Sequence, residues 1–265
     1  MYCGRVWRIV RWRGQHLWQT LRIVRPRLAF LLGEARGGTR RYRVGAMSVV
    51  VRHRSRDVDI VNEIWGARPS YEPPTSLVAR LRDRSLCIVD LGGNIGLFGV
   101  FALARWRVSH LISFEPDPAN AVILRRVREI NDVAGQWTVR ECAVANFSGE
   151  MGFVSLGSPE SHRPEPGRSG MRVSVTDLFA IQDSIDLLKI DIEGGEWALL
   201  SDERLRLLRA EIIVMEWHWR DAPSGDAHGA ALDALVKAGY QIHSDVVSDV
   251  AGVGMIWAAR PLSSG

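Results

Sequence analysis

Four short stretches of the sequence place carboxylates directly after runs of apolar residues. The first reads VDLGGNIG and puts Asp90 in front of Gly92, Gly93, Asn94 and Gly96. Glycines let a ligand approach the backbone closely, and ligands of open α/β sheets bind at the carboxyl ends of strands. The turn lacks the G-x-G-x-x-G spacing of a pyrophosphate site, and its acid would repel phosphate. It therefore favours a ligand that carries a positive charge or an amino group.

The second stretch, FEPDP, carries Glu115, 25 positions after Asp90. A carboxylate at the end of this next strand can accept hydrogen bonds from both hydroxyls of a ribose. NAD and S-adenosylmethionine share this requirement, so Glu115 predicts an adenosine ligand without saying which one. Asp117, two residues later, is interpreted instead as the N-cap of the following helix.

The third and fourth stretches are LLKIDIEGGEW and IIVMEWH. In the third, Asp191, Glu193 and Glu196 follow an apolar strand, and carboxylates clustered at a strand end are costly unless they are used. In the fourth, the alternation of a strand puts Glu216 and His218 on the same side. We expect His218 to share this edge with Asp191 and Glu193, which suits a catalytic or metal-binding histidine as well as a structural one.

Strand and helix signals alternate from residue 76 onward. The predicted strands are residues 87–91, 108–114, 137–143, 185–190 and 211–215. The predicted helices are residues 77–84, 96–105, 119–131, 197–209 and 230–239. Such alternation predicts an α/β fold with a doubly wound, mostly parallel sheet. Two final strands, 240–247 and 253–259, are expected to form an antiparallel hairpin at one edge, and the Gly-, Pro- and Ser-rich residues 156–171 are expected to form a loop.

The first 45 residues differ in charge from the rest of the chain. They hold 11 arginines and one acid, Glu34, a net charge of +10, whereas residues 46–265 carry a net charge of −6. Apolar residues at helical spacing between residues 5 and 32 predict an amphipathic helical arm that Pro26 divides in two. The chain is therefore interpreted as a basic arm, residues 1–45, and a catalytic domain, residues 46–265. The arm either packs on the domain or contacts an anionic membrane or a partner.

The composition is that of a globular protein. Of 265 residues, 46% are hydrophobic and 24% are charged, which excludes a disordered chain. Three scattered cysteines, Cys3, Cys87 and Cys142, fit neither a disulfide framework nor a metal site and favour a reducing compartment. The longest apolar run near the N-terminus, residues 28–32, is too short for a signal sequence or a membrane span. We expect a cytoplasmic protein whose arm can touch the inner face of the membrane, and we make no prediction of its oligomeric state.

Taken in order, VDLGGNIG, FEPDP, ECAVANFSGE, LLKIDIEGGEW and IIVMEWH resemble the FkbM-type family of S-adenosylmethionine-dependent methyltransferases. The resemblance runs from about residue 51 to residue 259. It implies a class I methyltransferase sheet of seven strands in which the last strand is antiparallel. It also implies S-adenosylmethionine as the cofactor and transfer of its methyl group to a hydroxyl of a sugar, a glycolipid or a related natural product.

The resemblance further implies which residues hold the cofactor. Asp90, Gly92 and Asn94 would hold its amino-acid end, in the turn that also contains Gly93 and Gly96. Three other contacts follow from the family pattern: Glu115 with the ribose, Cys142 and Ala143 with the adenine, and Asp191 with the sulfonium.

An acceptor hydroxyl needs a base close to its proton. His218 is the first candidate, with Asp191 or Glu193 as its partner or substitute. A divalent cation held by these three residues and Glu216 is an alternative, since carboxylate oxygens suit such ions. We assign no metal.

Other function classes stay open. An RNA or other nucleic-acid methyltransferase would use the arginine- and tryptophan-rich arm to hold its substrate. The acidic body and the lack of an Asn/Asp-Pro-Pro-aromatic motif disfavour it. A NAD-dependent oxidoreductase is disfavoured by the missing phosphate fingerprint. A binding module without activity would leave the clustered acids without a purpose.

Overall fold

The computed structural model describes six stretches of the chain. These are residues 17–67, 69–155, 162–164, 171–181, 183–248 and 252–262, with the side chains of residues 153–155 and 162–164 outside the description. Residues 1–16, which form part of the predicted arm, and most of the predicted loop 156–171 lie outside the described residues.

The first described elements form a small N-terminal layer. They are helix α1 (17–23), strand β1 (Val24–Arg25), helix α2 (Arg27–Arg36) and strands β2 (Thr39–Val44) and β3 (Met47–Arg52). Strand β2 pairs antiparallel with both β1 and β3. The break predicted at Pro26 is confirmed, because it separates α1 and β1 from α2. Of the predicted apolar stripe, Leu17 and Val24 pack in the core, whereas Leu28 and Leu31 are exposed.

The boundary predicted between residues 45 and 46 falls in the turn of the β2–β3 hairpin. Tyr42 before this turn and Val49 after it belong to the same core cluster as Phe101 of the later domain. Residues 17–45 are therefore held on the domain by a shared hydrophobic core. A separate arm stays a prediction for residues 1–16.

Two helices, α3 (Asp57–Trp65) and α4 (Thr75–Arg82), lead into the central layers. The next elements are β4 (Leu86–Leu91), α5 (Leu97–Arg105), β5 (Val108–Phe114), α6 (Pro118–Ile130) and β6 (Trp137–Arg140). Local chemistry explains the start of α6. Asp117 accepts the backbone N–H of Asn120, and Pro118 occupies the first turn, where its missing donor costs nothing.

A second, smaller sheet follows β6. Its strands are β7 (Ala143–Ala145), β8 (Gly149–Ser155), β9 (His162–Pro164) and β10 (Met171–Asp177), in the order β7-β10-β8-β9. Two predictions are wrong here. The strand predicted to reach residue 143 ends at Arg140, and Ala143 pairs with Val175 of β10 instead. Residues 162–164 pair with β8 rather than lying in a loop. The choice of pairing partner depends on distant strands, so a local strand signal could not reveal it.

The last elements are β11 (Ile185–Ile190), α7 (Glu196–Leu200), β12 (Ala210–His218), α8 (Ala227–Lys237), β13 (Gln241–Val247) and β14 (Val253–Ala259). The predicted helix 197–209 is wrong in its second half, because α7 ends at Leu200 and a 3-10 turn, Glu203–Leu207, follows. Asp202 Oδ1 accepts the backbone N–H of Arg204 at 2.9 Å and caps that turn. Such local bonds from aspartate compete with continuation of a helix.

The central sheet has the strand order β13-β14-β12-β11-β4-β5-β6. Strand β14 is antiparallel to β12 and β13, whereas the pairs among β12, β11, β4, β5 and β6 are parallel. The predicted seven-stranded sheet and its terminal hairpin are thus confirmed. Successive residues of β4 face opposite sides: Ile88 packs in one core cluster and Val89 in the other. The carboxyl ends of β4, β5, β11 and β12 meet at one edge, where ligands of such sheets bind.

Candidate functional site

A cavity of about 930 Å³ opens at the carboxyl ends of the central strands. It is bordered by the loop after β4, the residues after β11, the end of β12, and α3 with the turn that follows it. The expected site residues along its wall are Gly92, Gly93, Asn94, Asp191, Glu193, Glu216 and His218. The structure therefore brings three of the four chemistry-bearing stretches to one cavity.

The loop after β4 contacts its neighbours through glycines. Gly92 has a φ of +81°, and a side chain there would collide with the carbonyl oxygen of Asp191. A Cβ on Gly93 would lie 2.7 Å from Leu124 Cδ1. Gly96 packs against Trp137 and does not line the cavity. Gly92 therefore lets this loop lie directly beside the end of β11, and Gly93 lets it pack closely against α6 and β5.

Asp90 is completely buried at the end of β4 and does not line the cavity. Lys189 Nζ lies 3.1 Å from Asp90 Oδ1, and the Ser113 hydroxyl donates to Asp90 Oδ2 at 2.8 Å. The same ammonium donates to the carbonyl oxygen of Gly92 at 2.7 Å. Burial disfavours the charge of Lys189, but the carboxylates of Asp90 and Asp191 outweigh it and raise the pKa of the ammonium.

This pairing contradicts the expectation that the charge of Asp90 faces a cationic ligand. Lys189 is paired with the acid, so Asp90 supports the loop through the lysine, and cofactor contacts at Gly92 and Asn94 stay predictions. Sequence reasoning missed Lys189. A lysine inside the apolar stretch LLKI was the available signal, because a buried ammonium requires a nearby carboxylate.

Asn94 has an unused polar atom at the cavity wall. Its backbone adopts the left-handed region, with φ +47°. Its Oδ1 is buried and accepts no hydrogen bond from any residue that the structure describes. A buried acceptor without a partner is unfavourable. The atom therefore suits a donor that the chain does not itself supply, such as the ammonium of an amino-acid moiety.

Glu115, which follows β5, is buried and adjoins the cavity through Asn94. Its Oε2 accepts the backbone N–H of Asn94 at 2.6 Å, and its Oε1 accepts that of Asp117 at 2.9 Å. Burial raises the pKa of Glu115 to about 7. Glu115 does not itself line the cavity, so its contact with a ribose stays a prediction. Asp117 is the N-cap of α6, as interpreted from the sequence, and accepts from Asn120 at 2.8 Å.

Cys142 and Ala143 do not line this cavity. Both are buried near the start of β7, where Cys142 Sγ lies 3.4 Å from Thr176 Oγ1 and Ala143 pairs with Val175. Their position beside an adenine therefore stays a prediction.

Asp191, Glu193 and His218 converge after β11 and at the end of β12. One potential ligand atom of each lies within 4.8 Å of the others. His218 Nδ1 is 3.0 Å from Oε1 of the buried Glu196, and its Nε2 is 3.6 Å from Glu193 Oε2. Burial disfavours a charged imidazole, but the hydrogen bond to Glu196 and the surrounding carboxylates raise the pKa of His218 to about 10. His218 therefore carries a proton at neutral pH, which does not fit its expected role as a base.

Two further carboxylates and a phenol complete this part of the wall. Burial and the charges of Asp191 and Glu63 hold the pKa of Glu216 well above its usual range. Burial beside Asp191 raises the pKa of Glu63, on α3, to about 7. The Tyr71 hydroxyl donates to Asp191 Oδ2 at 3.4 Å. The carboxylates here are too crowded to be fully ionised together, so some of them hold protons.

Sequence reasoning missed Glu63 and Tyr71. Both precede residue 76, where the predicted strands and helices of the catalytic domain begin, and neither lies in one of the four stretches. No local pattern marks them, because only the folded chain brings Tyr71 to Asp191, 120 positions later.

Comparison with known proteins agrees with the resemblance found in the sequence. The family model described as Methyltransferase FkbM domain matches residues 90–242, more than half of the chain. Methyltransferase sdnD of Sordaria araneosa is 26% identical over 179 residues, which span 52% of this chain and 67% of that protein. Methyltransferase 1 of Beauveria bassiana (strain ARSEF 2860) is 40% identical over 48 residues, which span 18% of this chain and 19% of that protein.

Two solved structures are similar to this chain. Methyltransferase FkbM from Methylobacillus flagellatus KT has a TM-score of 0.49 and 19% identity, over 77% of this chain and 53% of its own. Aeropyrum pernix fibrillarin in complex with S-adenosyl-L-methionine has a TM-score of 0.46 and 15% identity, over 84% of this chain and 83% of its own. The chain thus matches about half the length of the Methylobacillus protein.

The residues matched by the family model include most of the residues of the candidate site. The matched residues begin at Asp90 and include Asn94, Glu115, Asp191 and His218. The sheet, with its antiparallel β14, is that of a class I methyltransferase. The cavity wall within the matched residues also carries the partnerless buried acceptor Asn94 Oδ1. The chain therefore belongs to the FkbM family of S-adenosylmethionine-dependent methyltransferases.

Proposed function

We propose that this methyltransferase acts on a hydroxyl group of a small acceptor: a sugar, a glycolipid or a related natural product. The observation that carries the proposal is the group of four carboxyl side chains around the open cavity, namely Glu63, Asp191, Glu193 and Glu216. Carboxylates accept hydrogen bonds, and protonated carboxyls also donate them. A wall that contains both forms suits a ligand with several hydroxyls, each of which donates and accepts.

The cofactor supplies a methyl group that its positively charged sulfur has already activated. The chain's main tasks are therefore to bind the reactants, align them and exclude water. We expect Asn94 Oδ1 to accept from the ammonium of the cofactor and Glu115 to accept from its ribose hydroxyls. Asp191 contributes negative charge at the cavity wall. Lys189 lies 3.5 Å from Asp191 Oδ2 and holds this residue and Asp90 in one ionic network.

Glu193 is the base that the geometry favours for removal of the acceptor proton. Its carboxylate lines the cavity, 3.6 Å from His218 Nε2. Burial raises the pKa of Glu193 above its usual value, and a proton acceptor works best when its pKa approaches the working pH. The protonated His218, held by Glu196, positions Glu193 through this ion pair.

The same carboxylates disfavour a nucleic acid as acceptor. A phosphodiester backbone carries one negative charge per nucleotide and is bound by basic side chains. Its approach to Glu63, Asp191 and Glu193 would bring like charges together. We propose the cytoplasm as the compartment of the reaction, because the free thiols of Cys87 and Cys142 fit a reducing environment.

Transfer of an isotope-labelled methyl group to a panel of acceptors tests the proposal. The panel contains free sugars, glycolipids, hydroxylated natural-product fractions and RNA. We expect label on an acceptor oxygen of the first three classes and none on RNA. Label found only on RNA, or only on nitrogen or carbon, would overturn the proposed acceptor class and leave the family assignment intact.

A further inference from the structure

Helices α1 and α2 expose large apolar side chains that the fold leaves uncovered. Trp18 is 70% exposed, Leu28 69%, Leu31 39% and Leu32 41%. Leu31 and Leu32 lie three and four residues after Leu28, so both are neighbours of Leu28 on one side of the helix. The opposite side of α2 is buried, with Phe30 fully enclosed. Clusters of exposed large apolar side chains mark contact surfaces.

Exposed arginines lie on the same elements as these apolar side chains. Arg22, Arg25, Arg27 and Arg36 are all exposed. Between residues 17 and 45 the only acid is Glu34, and its carboxylate is already bound to His53 Nδ1 at 2.6 Å. We call this surface of apolar side chains and arginines the arginine–leucine face. Its positive charge contrasts with the net charge of −6 on residues 46–265.

The arginine–leucine face is tied firmly to the catalytic cavity. On α1, Gln19 lines the cavity and Thr20 is buried, with its hydroxyl accepting from Asn62 of α3. On α2, Glu34 joins a buried chain in which His53 Nε2 lies 2.6 Å from the hydroxyl of Tyr42 on β2. Anything bound by the face is therefore held beside the mouth of the cavity in a fixed orientation.

We propose that the arginine–leucine face docks this enzyme on the surface of an anionic lipid bilayer. Tryptophan and leucine side chains insert at the boundary between headgroups and acyl chains, and arginines bind the anionic headgroups around them. An apolar groove on a partner protein would match the leucines but would leave the arginines without counter-charges. The contact is peripheral: in the part of the chain that the structure describes, no helix is long and apolar enough to cross a bilayer.

Docking in this orientation would affect which acceptors can reach the cavity. With Gln19 at the cavity wall and Trp18 next to it, the cavity opens close to the lipid surface. An acceptor anchored in the membrane, such as a glycolipid, would meet the cavity without leaving the bilayer. This last step rests on the proposed function, whereas docking itself does not.

Sedimentation of the full-length protein with vesicles tests the docking. The probes are vesicles of phosphatidylcholine alone and of phosphatidylcholine with 30% phosphatidylglycerol, without cofactor or acceptor. We expect at least tenfold more protein on the anionic vesicles and a decrease in binding as salt rises, because salt screens exposed charges. Equal binding to both vesicles, or no binding to either, would overturn the proposal without affecting the methyl-transfer result.

Substitutions on the arginine–leucine face, with a control substitution elsewhere, test whether this face contacts the vesicles. The double substitution Leu28→Glu/Leu31→Glu should reduce binding to anionic vesicles at least tenfold, and Arg22→Gln/Arg27→Gln at least threefold. The control is Leu207→Glu, since Leu207 is also 70% exposed but lies on the distant 3-10 turn. Circular dichroism checks that each variant is folded. An equal loss in the Leu207 variant would refute the assignment. So would a dimer of the unmodified protein that Leu28→Glu/Leu31→Glu separates, because a second copy would then cover the face.

Discussion

The two sides of the cavity differ in how their charged side chains are paired. On the β4 side, formed by the loop after β4 and by Glu115, each buried charge has a partner within the chain: Asp90 is paired with Lys189, and Glu115 accepts two backbone N–H groups. On the β12 side, formed by Glu193, Glu216 and His218, the carboxylates lie close together, and His218 and Arg56 offset only part of their charge. The pKa of Glu193 and that of Glu216 are consequently raised by burial and by nearby carboxylates.

This difference distinguishes the residues expected to bind the cofactor from those expected to take part in the reaction. A site that binds the same cofactor in every cycle gains from groups that are already paired and cannot move. A site that must take up a proton needs a carboxyl that has a raised pKa and also lines the cavity. Burial raises the pKa of both Glu115 and Glu193, but only Glu193 of these two lines the cavity. We therefore assign cofactor positioning to the β4 side and acceptor chemistry to the β12 side.

Loss of Lys189 should produce the largest effect. Lys189→Met leaves Asp90 buried without a counter-charge, and we expect unfolding to become easier by about 3–5 kcal/mol. The matched control is Lys237→Met, because Lys237 is the only other lysine and is exposed at the end of α8. Urea unfolding of both variants measures the difference. Equal stability of the two variants would show that the β4 side is not held by this ion pair.

Substitution of Glu193 should act on turnover alone. Glu193→Gln removes the base, and we expect kcat to fall about 100-fold, within the usual range for general-base catalysis. Calorimetric affinity for S-adenosylmethionine should change less than twofold, because we expect the cofactor to bind the β4 side. Glu203→Gln, at an exposed glutamate on the 3-10 turn, is the control. A cofactor affinity that falls together with kcat would contradict the division of roles.

Substitution of Glu115 should reverse that pattern. Glu115→Ala removes the carboxylate expected at the ribose, and we expect affinity for S-adenosylmethionine to drop at least tenfold. It also leaves two backbone N–H groups without their acceptor, at a cost of about 1–3 kcal/mol each in stability. Calorimetry at a temperature where the variant is folded separates the two effects. Unchanged cofactor affinity would remove Glu115 from the cofactor site.

The protonation state of His218 can be read directly. Nuclear magnetic resonance titration should show His218 still protonated at pH 8, because its pKa is raised to about 10. His243, whose pKa is lowered by burial and by Arg80, should be neutral at that pH and serves as the internal reference. A group with a raised folded-state pKa stabilises the protein fully below its unfolded value of about 6.5. That stabilisation should fade as the pH rises toward 10, and a His218 pKa near 6.5 would exclude the proposed ion pair.

The smallest expected effect is that of metal removal. The Asp191–Glu193–His218 group, with ligand atoms within 4.8 Å of one another, is the group of described residues that could hold an ion. Lys189 and the protonated His218 already supply positive charge to it. We therefore expect a chelator to leave methyl transfer unchanged. Activity lost on chelation and restored by Mn²⁺ or Mg²⁺ would instead support the cation alternative.

Much of the sheet was predictable because its signals are local. Residues 108–114, 185–190 and 253–259 form strands with the predicted bounds, since apolar runs between turn residues are read from a few neighbouring positions. The helix predicted for 197–209 failed because Asp202 caps a new turn, and the strand predicted for 137–143 failed because Ala143 pairs with a strand more than thirty residues later.

The sequence by itself determined which acids follow which strands, and the strand order of the family then placed Asp191, Glu193 and His218 at one edge. Only the tertiary structure decided how these charges are balanced. Lys189 pairs with the buried Asp90, Glu196 keeps a proton on His218, and Glu63 and Tyr71 reach the cavity from α3 and the turn that follows it. The physical reason is that the protonation state of an ionisable side chain depends on its burial and on charged or polar groups within a few ångströms. Folding brings those groups together from positions far apart in the chain.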